Sequence, residues 1–287
     1  MYIAQNWQDY QVIDTGNGDK IERWGQYILR RPDPQVIWPF ADPDSERLPQ
    51  AQYLRSETGG GHWTGRGKVP ESWMISYQNL RFLVRPTGFK HTGLFPEQAA
   101  NWDWMREKIR KSSRSIRILN LFAYTGGATV ACAEAGASVC HVDAAKGMVQ
   151  WAKENARLSN LEDAPIRYIV DDVLKFVQRE IRRGHQYDGI IMDPPSYGRG
   201  PDGQVWKLET EIYALLETCM QVLSQDPLFF VLNAYTTGLQ PAVLRNLLMK
   251  TIGSRFGGRI DAQELGLPVE KGNLVLPCGA TGRWEQV

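Results

Sequence analysis

A chain of 287 residues, 43% hydrophobic and 23% charged, is long enough for one or two ordinary cores and too apolar to be a disordered chain. Its 33 Lys and Arg stand against 32 Asp and Glu, a net charge of +1, which excludes a global electrostatic funnel for nucleic acid and leaves only a local patch for such a partner. No apolar run approaches the ~18 residues of a membrane helix, and residues 1–7 lack a signal-peptide pattern. Cys132, Cys140, Cys219 and Cys278 form no Cys-x-x-Cys pair, and His62, His91, His141 and His185 are dispersed without ligand spacing. The expectation is therefore a cytoplasmic protein with no membrane segment and no metal, its oligomeric state open.

Residues 1–98 carry tight-turn sequences such as Asn17-Gly18 and Pro32-Asp33-Pro34 between short aromatic and β-branched runs, which predicts a small β-rich N-terminal domain. Seven of the ten tryptophans fall in the first 104 residues; they read as core filler, since a base-stacking platform would need them exposed. Residues 99–287 read as a second domain, opened by a bridging helix at 99–111. From about residue 112 to 287, apolar strand-length runs at 116–122, 139–142, 166–170, 189–192, 228–232 and 273–276 alternate with helical periods, the clearest at 205–223. That alternation predicts a parallel sheet covered on both faces.

The first strand–helix junction reads Phe122-Ala123-Tyr124-Thr125-Gly126-Gly127, a turn of the kind that lets a backbone approach a ligand, or simply a turn. Seventeen positions beyond Gly126 the second strand ends in Asp143-Ala144, where a carboxylate can accept both hydroxyls of a ribose or start the next helix. The combination points to a nucleoside cofactor. With no Gly-x-Gly-x-x-Gly for a pyrophosphate, a phosphate-free nucleoside fits better than a dinucleotide. The third strand ends in Asp171-Asp172-Val173, able either to meet an adenine or to cap a helix. The fourth ends in Asp193-Pro194-Pro195-Ser196-Tyr197, a stiffened turn suited to holding two reactants in fixed orientation. Gly198 to Gly203 follow as a flexible loop or a lid.

These motifs resemble class I S-adenosylmethionine-dependent methyltransferases, and among them the large-subunit ribosomal RNA cytosine methyltransferase group. A further mark is Thr92-Gly93-Leu94-Phe95-Pro96-Glu97-Gln98, similar to a segment that in this group precedes the sheet and helps wall the cofactor site. The resemblance implies an α/β Rossmann-like sheet of seven strands, mostly parallel with the last antiparallel, and S-adenosyl-L-methionine as cofactor. It also implies Asp143 on the ribose, Asp172 and Val173 near adenine, and Gly126 and Asp193 near the methionine moiety. Expected cofactor-binding residues are thus Thr92, Phe95, Gln98, Phe122, Ala123, Tyr124, Thr125, Gly126, Gly127, Asp143, Ala144, Asp172, Val173 and Asp193. Expected catalytic residues are Asp193, Pro194, Pro195 and Tyr197.

Two departures from the group stand out. The additional N-terminal RNA-binding domain of some members is not seen, and the stretch after the fifth strand, 232–237, lacks the cysteine that carbon-5 chemistry needs. Methylation of a nitrogen or oxygen is therefore expected. RNA, ribosomal by resemblance, is the expected acceptor, held by the basic stretch Arg106, Lys108, Arg110, Lys111, Arg114 and Arg117; that stretch also reads as a solvated helix end. Alternatives are a protein or small-molecule acceptor and, more distantly, a nicotinamide-dependent oxidoreductase or a non-catalytic cofactor-binding module.

Overall fold

The computed structural model describes residues 1–56, 60–199, 205–236 and 238–287, so most of the 198–203 loop lies outside the described residues. The chain divides into two compact units. The smaller comprises Ile3–Ala100 with Gly266–Pro277; the larger comprises Met1–Tyr2, Asn101–Leu265 and Cys278–Val287. A linear division at residue 98 misses this return of the chain, because no composition shift marks residues 266–277.

After the two-residue β1 (Tyr2–Ile3), the smaller unit forms β2 (Tyr10–Gly16), β3 (Asp19–Trp24), β4 (Tyr27–Pro32), β5 (Ala51–Arg55), β6 (Gly61–Thr64), β7 (Trp73–Tyr77) and β8 (Leu80–Val84). β2 to β6 make one five-stranded sheet and β7 with β8 a second. Asn17 (φ 53°) and Gly18 (φ 83°) form the β2–β3 turn, the left-handed pair whose twist matches an antiparallel ribbon. Residues of the return segment add to β2: the Glu270 N–H donates to Val12 O at 2.9 Å and that of Lys271 to Ile13 O at 3.0 Å. The core holds Ile21, Trp24, Leu29, Ile75, Tyr77 and Phe82. Glu22 is buried beside Arg31 (Oε2···Nε 2.6 Å) and accepts from Tyr10 Oη at 2.6 Å, and Arg31 with Lys20 holds its carboxyl down at about 2 against the opposing effect of burial.

The larger unit contains α1 (Ala99–Lys111), β9 (Arg117–Leu121), α2 (Gly127–Glu134), β10 (Ser138–Asp143), α3 (Lys146–Leu158), β11 (Ile166–Val170), α4 (Val173–Arg182) and β12 (Gly189–Met192). These are followed by β13 (Tyr197–Arg199), β14 (Val205–Lys207), α5 (Leu208–Cys219), β15 (Phe229–Ala234), α6 (Pro241–Leu248), β16 (Arg259–Pro268) and β17 (Val275–Glu285). The central sheet has eight strands in the order β1-β16-β17-β15-β12-β9-β10-β11. β9 to β12 and β15 pair in parallel and β17 runs antiparallel to β15, the arrangement expected from the resemblance with one short edge strand added. Successive strand residues point to opposite faces. Leu119, Leu121, Val142, Ile190, Met192, Phe230 and Leu232 meet Phe176 and Val177 of α4, Ile212 and Leu215 of α5, and Leu244 and Leu248 of α6. α2 and α3 lie against β9 to β11, and α1 buries Trp102, Met105 and Ile109.

Three elements depart from the sequence reading. β16 was not expected, because Arg259, Asp261 and Glu264 dilute its apolar pattern and its first half stays partly exposed. The strand read at 273–276 runs on to Glu285, past Pro277, Gly279 and Gly282. Residues 205–207 form a strand paired with Tyr197–Arg199 rather than the first turn of α5.

Candidate active site

Strand register brings the motif residues into one row. Met192, Leu121 and Val142 are partners across β12, β9 and β10, so Asp193, Phe122 and Asp143 are the next residues on three adjacent strands. At ~4.8 Å between strands the row spans roughly 10 Å. Asp143 in turn pairs with Val170, which puts Asp171 and Asp172 beside it. The row lies where the strand order reverses between β9 and β12, the point at which open α/β sheets bind ligands.

The loop from β9 to α2 is strained. Phe122 (φ 54°) and Tyr124 (φ 49°) both occupy the left-handed region, at about 1–3 kcal/mol each for a non-glycine residue. The surroundings hold them there: the Ala123 N–H donates to Val142 O at 3.0 Å, and buried Asn155 of α3 donates Nδ2–H to Thr125 O at 2.8 Å. The two glycines serve packing before any ligand arrives. A Cβ on Gly126, itself at φ 83°, would lie 2.8 Å from Ala152 Cβ, and one on Gly127 would lie 2.6 Å from Trp102 Cζ2. Beneath the loop Asn120 Nδ2 donates to Thr129 Oγ1 at 2.9 Å, and that hydroxyl lies 2.9 Å from His141 Nδ1. Burial pushes His141 down to about 3, so it is neutral. It is a core residue of β10.

Asp143 accepts from the Tyr124 N–H through Oδ2 and from the Ala145 N–H through Oδ1, both at 2.8 Å. It thereby ties the loops after β9 and β10 together. A carboxylate has about four acceptor positions, so two N–H donors leave room for a vicinal diol. Burial raises its pKa, and the two backbone N–H groups oppose that rise. Asp172 is the N-cap of α4, accepting from the Lys175 N–H at 2.9 Å, and Val173 behind it is buried. Asp171 pairs with Arg179. Ala144 is exposed beside Asp143. The row of hydrogen-bond acceptors fits the hydroxyls of a nucleoside.

Beyond Asp193, whose N–H donates to Leu121 O at 3.4 Å, Pro194 is buried while Pro195 and Ser196 are exposed. Ser196 accepts from Thr236 Oγ1 at 2.5 Å, and Tyr197 is 52% exposed at the start of the β13–β14 hairpin. Trp206 closes this hairpin back on the turn. Its Nε1–H donates to Pro195 O at 2.7 Å, and its ring stands 5.5 Å from that of Phe122. Sequence reasoning missed Trp206 by assigning it to a helix. The signal was the turn-forming stretch between two short β-prone runs, Tyr197–Arg199 and Val205–Lys207.

Thr92, Phe95 and Gln98 belong to the smaller unit. Thr92 Oγ1 is buried with no partner among the described residues, Phe95 is half-buried, and Gln98 closes a short 3-10 turn with Pro96. In the expected basic stretch 106–117 most of the cations are ion-paired. Arg106 is buried on Glu134 (2.8 Å), Arg110 also pairs with Glu134, Lys108 with Glu285, Lys111 with Glu107 and Arg114 with Asp188 (2.7 Å). Only Arg117 of the six has no ion pair among the described residues, and it starts β9 at the edge of the sheet opposite Asp143. Cys132, Cys140 and Cys219 are buried, and burial raises all three thiols, Cys140 to about 11. Among the described residues no cluster of His, Cys, Asp and Glu could hold a metal ion, and no helix is long and apolar enough to cross a membrane.

Sheet order, reversed last strand and the acceptor row together define a Rossmann-like nucleoside-binding α/β protein. Comparison with known families sharpens that class: the family described as S-adenosylmethionine-dependent methyltransferase matches residues 42–216, more than half of the chain. The chain belongs to that family, and S-adenosylmethionine is its methyl donor. It is 38% identical to a SAM-dependent methyltransferase of Agrobacterium tumefaciens, with a TM-score of 0.93 over 98% of this chain and 91% of that one. A chain described as a methyltransferase and complexed with S-adenosylhomocysteine shares the fold at 20% identity and TM-score 0.73, over 98% of this chain and 76% of that one. Among curated relatives, the ribosomal RNA large subunit methyltransferase K of Neisseria meningitidis is 27% identical over 78% of this chain and 62% of its own length. The K/L enzyme of Syntrophotalea carbinolica is 33% identical over 50% of this chain and 19% of its own length. The chain thus spans less than two thirds of either relative.

Proposed function

We propose that the protein transfers the methyl group of S-adenosylmethionine to RNA, and that the acceptor atom is a nitrogen or an oxygen. The observation that carries the reading is the row Asp193, Phe122 and Asp143 at the reversal of strand order. RNA as acceptor is supported by the relatives named as ribosomal RNA large subunit methyltransferases. When bound, the cofactor supplies an already activated sulfonium methyl, so alignment and exclusion of water are the protein's share of catalysis. Asp143 accepts the ribose hydroxyls, Asp172 and Val173 border the adenine, and the 122–127 loop with Gly126 and Asp193 borders the methionine moiety. Pro194 and Pro195 stiffen the turn on which Asp193 and Tyr197 position the acceptor, and Trp206 locks that turn to Phe122.

Carbon-5 chemistry on a pyrimidine needs a thiolate nucleophile at this turn. Three of the four cysteines are core residues. The fourth, Cys278, sits on β17, separated from β12 by β15. A protein or small-molecule acceptor is the second reading, favoured by the near-zero net charge and by the ion pairing of the 106–117 cations. Labelled-methyl transfer onto separated RNA, protein and metabolite pools decides between them: label in RNA supports the first reading, and label confined to another pool overturns it.

A further inference from the structure

We propose that the loop 85–92 of the smaller unit, with Phe89 at its tip and Lys90 and Arg55 beside it, is a docking surface for single-stranded RNA. This rests on the RNA reading above and adds a surface to it.

The loop is built rigidly. The Arg85 N–H donates to Thr92 O at 3.0 Å, closing its base. Trp63 Nε1 donates to Thr87 O at 2.9 Å and to Phe89 O at 3.2 Å, and Thr87 Oγ1 donates to His91 O at 2.8 Å. Arg66 Nη2 donates to Pro86 O at 3.3 Å and Arg31 Nη1 to Lys90 O at 3.1 Å. With its backbone tied down by two arginines and a tryptophan, the loop leaves Phe89 69% exposed. That ring is the one Phe, Tyr or Trp side chain of this unit, among its described residues, that is exposed rather than buried or half-buried. An apolar ring held in water on a braced loop gains most from a flat partner that covers it.

The surroundings are cationic. Arg31 and Arg66 donate to the loop's backbone, and Lys20 and Arg55 lie close enough to act on Lys90. Arg55 ends β5 opposite Gly61, two residues from Trp63, which braces the loop. Neither Lys90 nor Arg55 is ion-paired among the described residues, whereas the acids near them are engaged: Asp33 with Lys20 at 3.2 Å and Glu22 with Arg31. Burial of its stem, and then repulsion from Lys20, Arg31 and Arg55, brings Lys90 down to about 8 despite Asp33. An anion placed among these cations relieves that repulsion. A backbone of phosphates provides the charge and an unstacked base the flat face, the combination by which single strands are held. In duplex RNA the bases are already stacked and have no face to offer.

The test uses the full chain, a fluorescein-labelled single-stranded oligoribonucleotide of about 16 nucleotides, and its duplex. Phe89→Ala should weaken single-strand binding about 5- to 150-fold, with Phe89→Tyr restoring it and duplex binding unchanged. Lys90→Ala combined with Arg55→Ala should lower the slope of log K against log salt by about 1.4, at about 0.7 per phosphate contact. S-adenosylmethionine affinity, measured by calorimetry, should stay at the wild-type value in every variant, which also reports an intact fold. Wild-type affinity and salt slope in both variants, an equal loss on duplex, or crosslinking of this loop to protein rather than RNA overturns the surface. If the wild type itself neither binds nor methylates RNA while binding the cofactor, the RNA reading fails and this surface with it. If it methylates RNA and the variants behave as wild type, the surface alone fails.

Discussion

At the amino edge of the central sheet Arg106, Arg110 and Arg114 are held by Glu134 and Asp188, while at the carboxyl edge Asp143 is met by two backbone N–H groups. At the amino edge five of the six cations of 106–117 are each met by a carboxylate. The carboxyl edge holds two non-glycine residues in left-handed conformations and a carboxylate whose burial raises its pKa. Ion pairs use both partners' charges up on each other, whereas a carboxylate met only by two backbone N–H groups keeps acceptor positions for a ligand. Positive residues in a sequence therefore say little about nucleic-acid contact until their partners are known. The cations of 106–117 are mostly ion-paired, whereas Lys90 and Arg55 beside Phe89 have no ion pair among the described residues.

Substitutions at the two edges should separate stability from binding. The largest effect is expected at Arg106. Replacing it by Ala leaves Glu134, 15% exposed, with Arg110 alone and should cost about 3 kcal/mol of stability. Denaturant titration measures this, and calorimetry of the folded variant should find S-adenosylmethionine affinity unchanged. A variant that lost affinity without losing stability would erase the distinction between the edges.

Asp143→Ala should do the reverse. Loss of charge-assisted hydrogen bonds costs about 1.5–3 kcal/mol of binding, roughly 10–150-fold in affinity. Unchanged calorimetric affinity in a folded variant would remove Asp143 from the site. Thr92→Val tests the orphaned buried hydroxyl in the same assay, with a smaller loss expected and no change removing Thr92 from the cofactor residues.

The pH dependence of binding follows from the direction of the Asp143 shift. Its raised pKa means the fold holds the proton more tightly than the unfolded chain, so the free protein's stability from this group is present at low pH and declines as pH rises through the folded value. Cofactor binding uses the ionised form and should run the other way. On acidification, affinity should begin to fall above the range near 3.9 in which an ordinary Asp titrates. Calorimetry across that range checks this, and an Asp143→Asn variant should show a flatter profile.

The smallest effect is expected from the thiols. Replacing all four cysteines by Ala should leave methyl transfer mostly intact at a temperature where the fold survives the lost core contacts. A trapped covalent RNA adduct in the wild type, absent in Cys278→Ser, would restore carbon-5 chemistry.

The motifs at the carboxyl edge were legible because they are local. A strand end, a Gly-Gly turn, an Asp and a Pro-Pro lie within short segments whose spacing follows the strand–helix alternation. Trp206 was not legible, because its strand has three residues and abuts α5, so helical periodicity absorbed it. β16 was hidden for the opposite reason, since its charged residues sit where the sheet narrows to the two-residue β1.

By itself the sequence determined the class of fold and the strand ends that bear the candidate site, from periodicity and from which residues can end a strand, while its turn and acid motifs pointed to the kind of cofactor. Tertiary structure alone decided which strands are neighbours, and so that Asp193, Phe122 and Asp143 form a single row. It decided that Gly126 and Gly127 are required first by Ala152 and Trp102, and that Arg106 is paired with Glu134 while Lys90 has no ion pair among the described residues. The reason is common to all three: strand neighbours, the space a missing Cβ leaves and the partner of a charge are set by residues far away in the chain, and no local pattern encodes their distance.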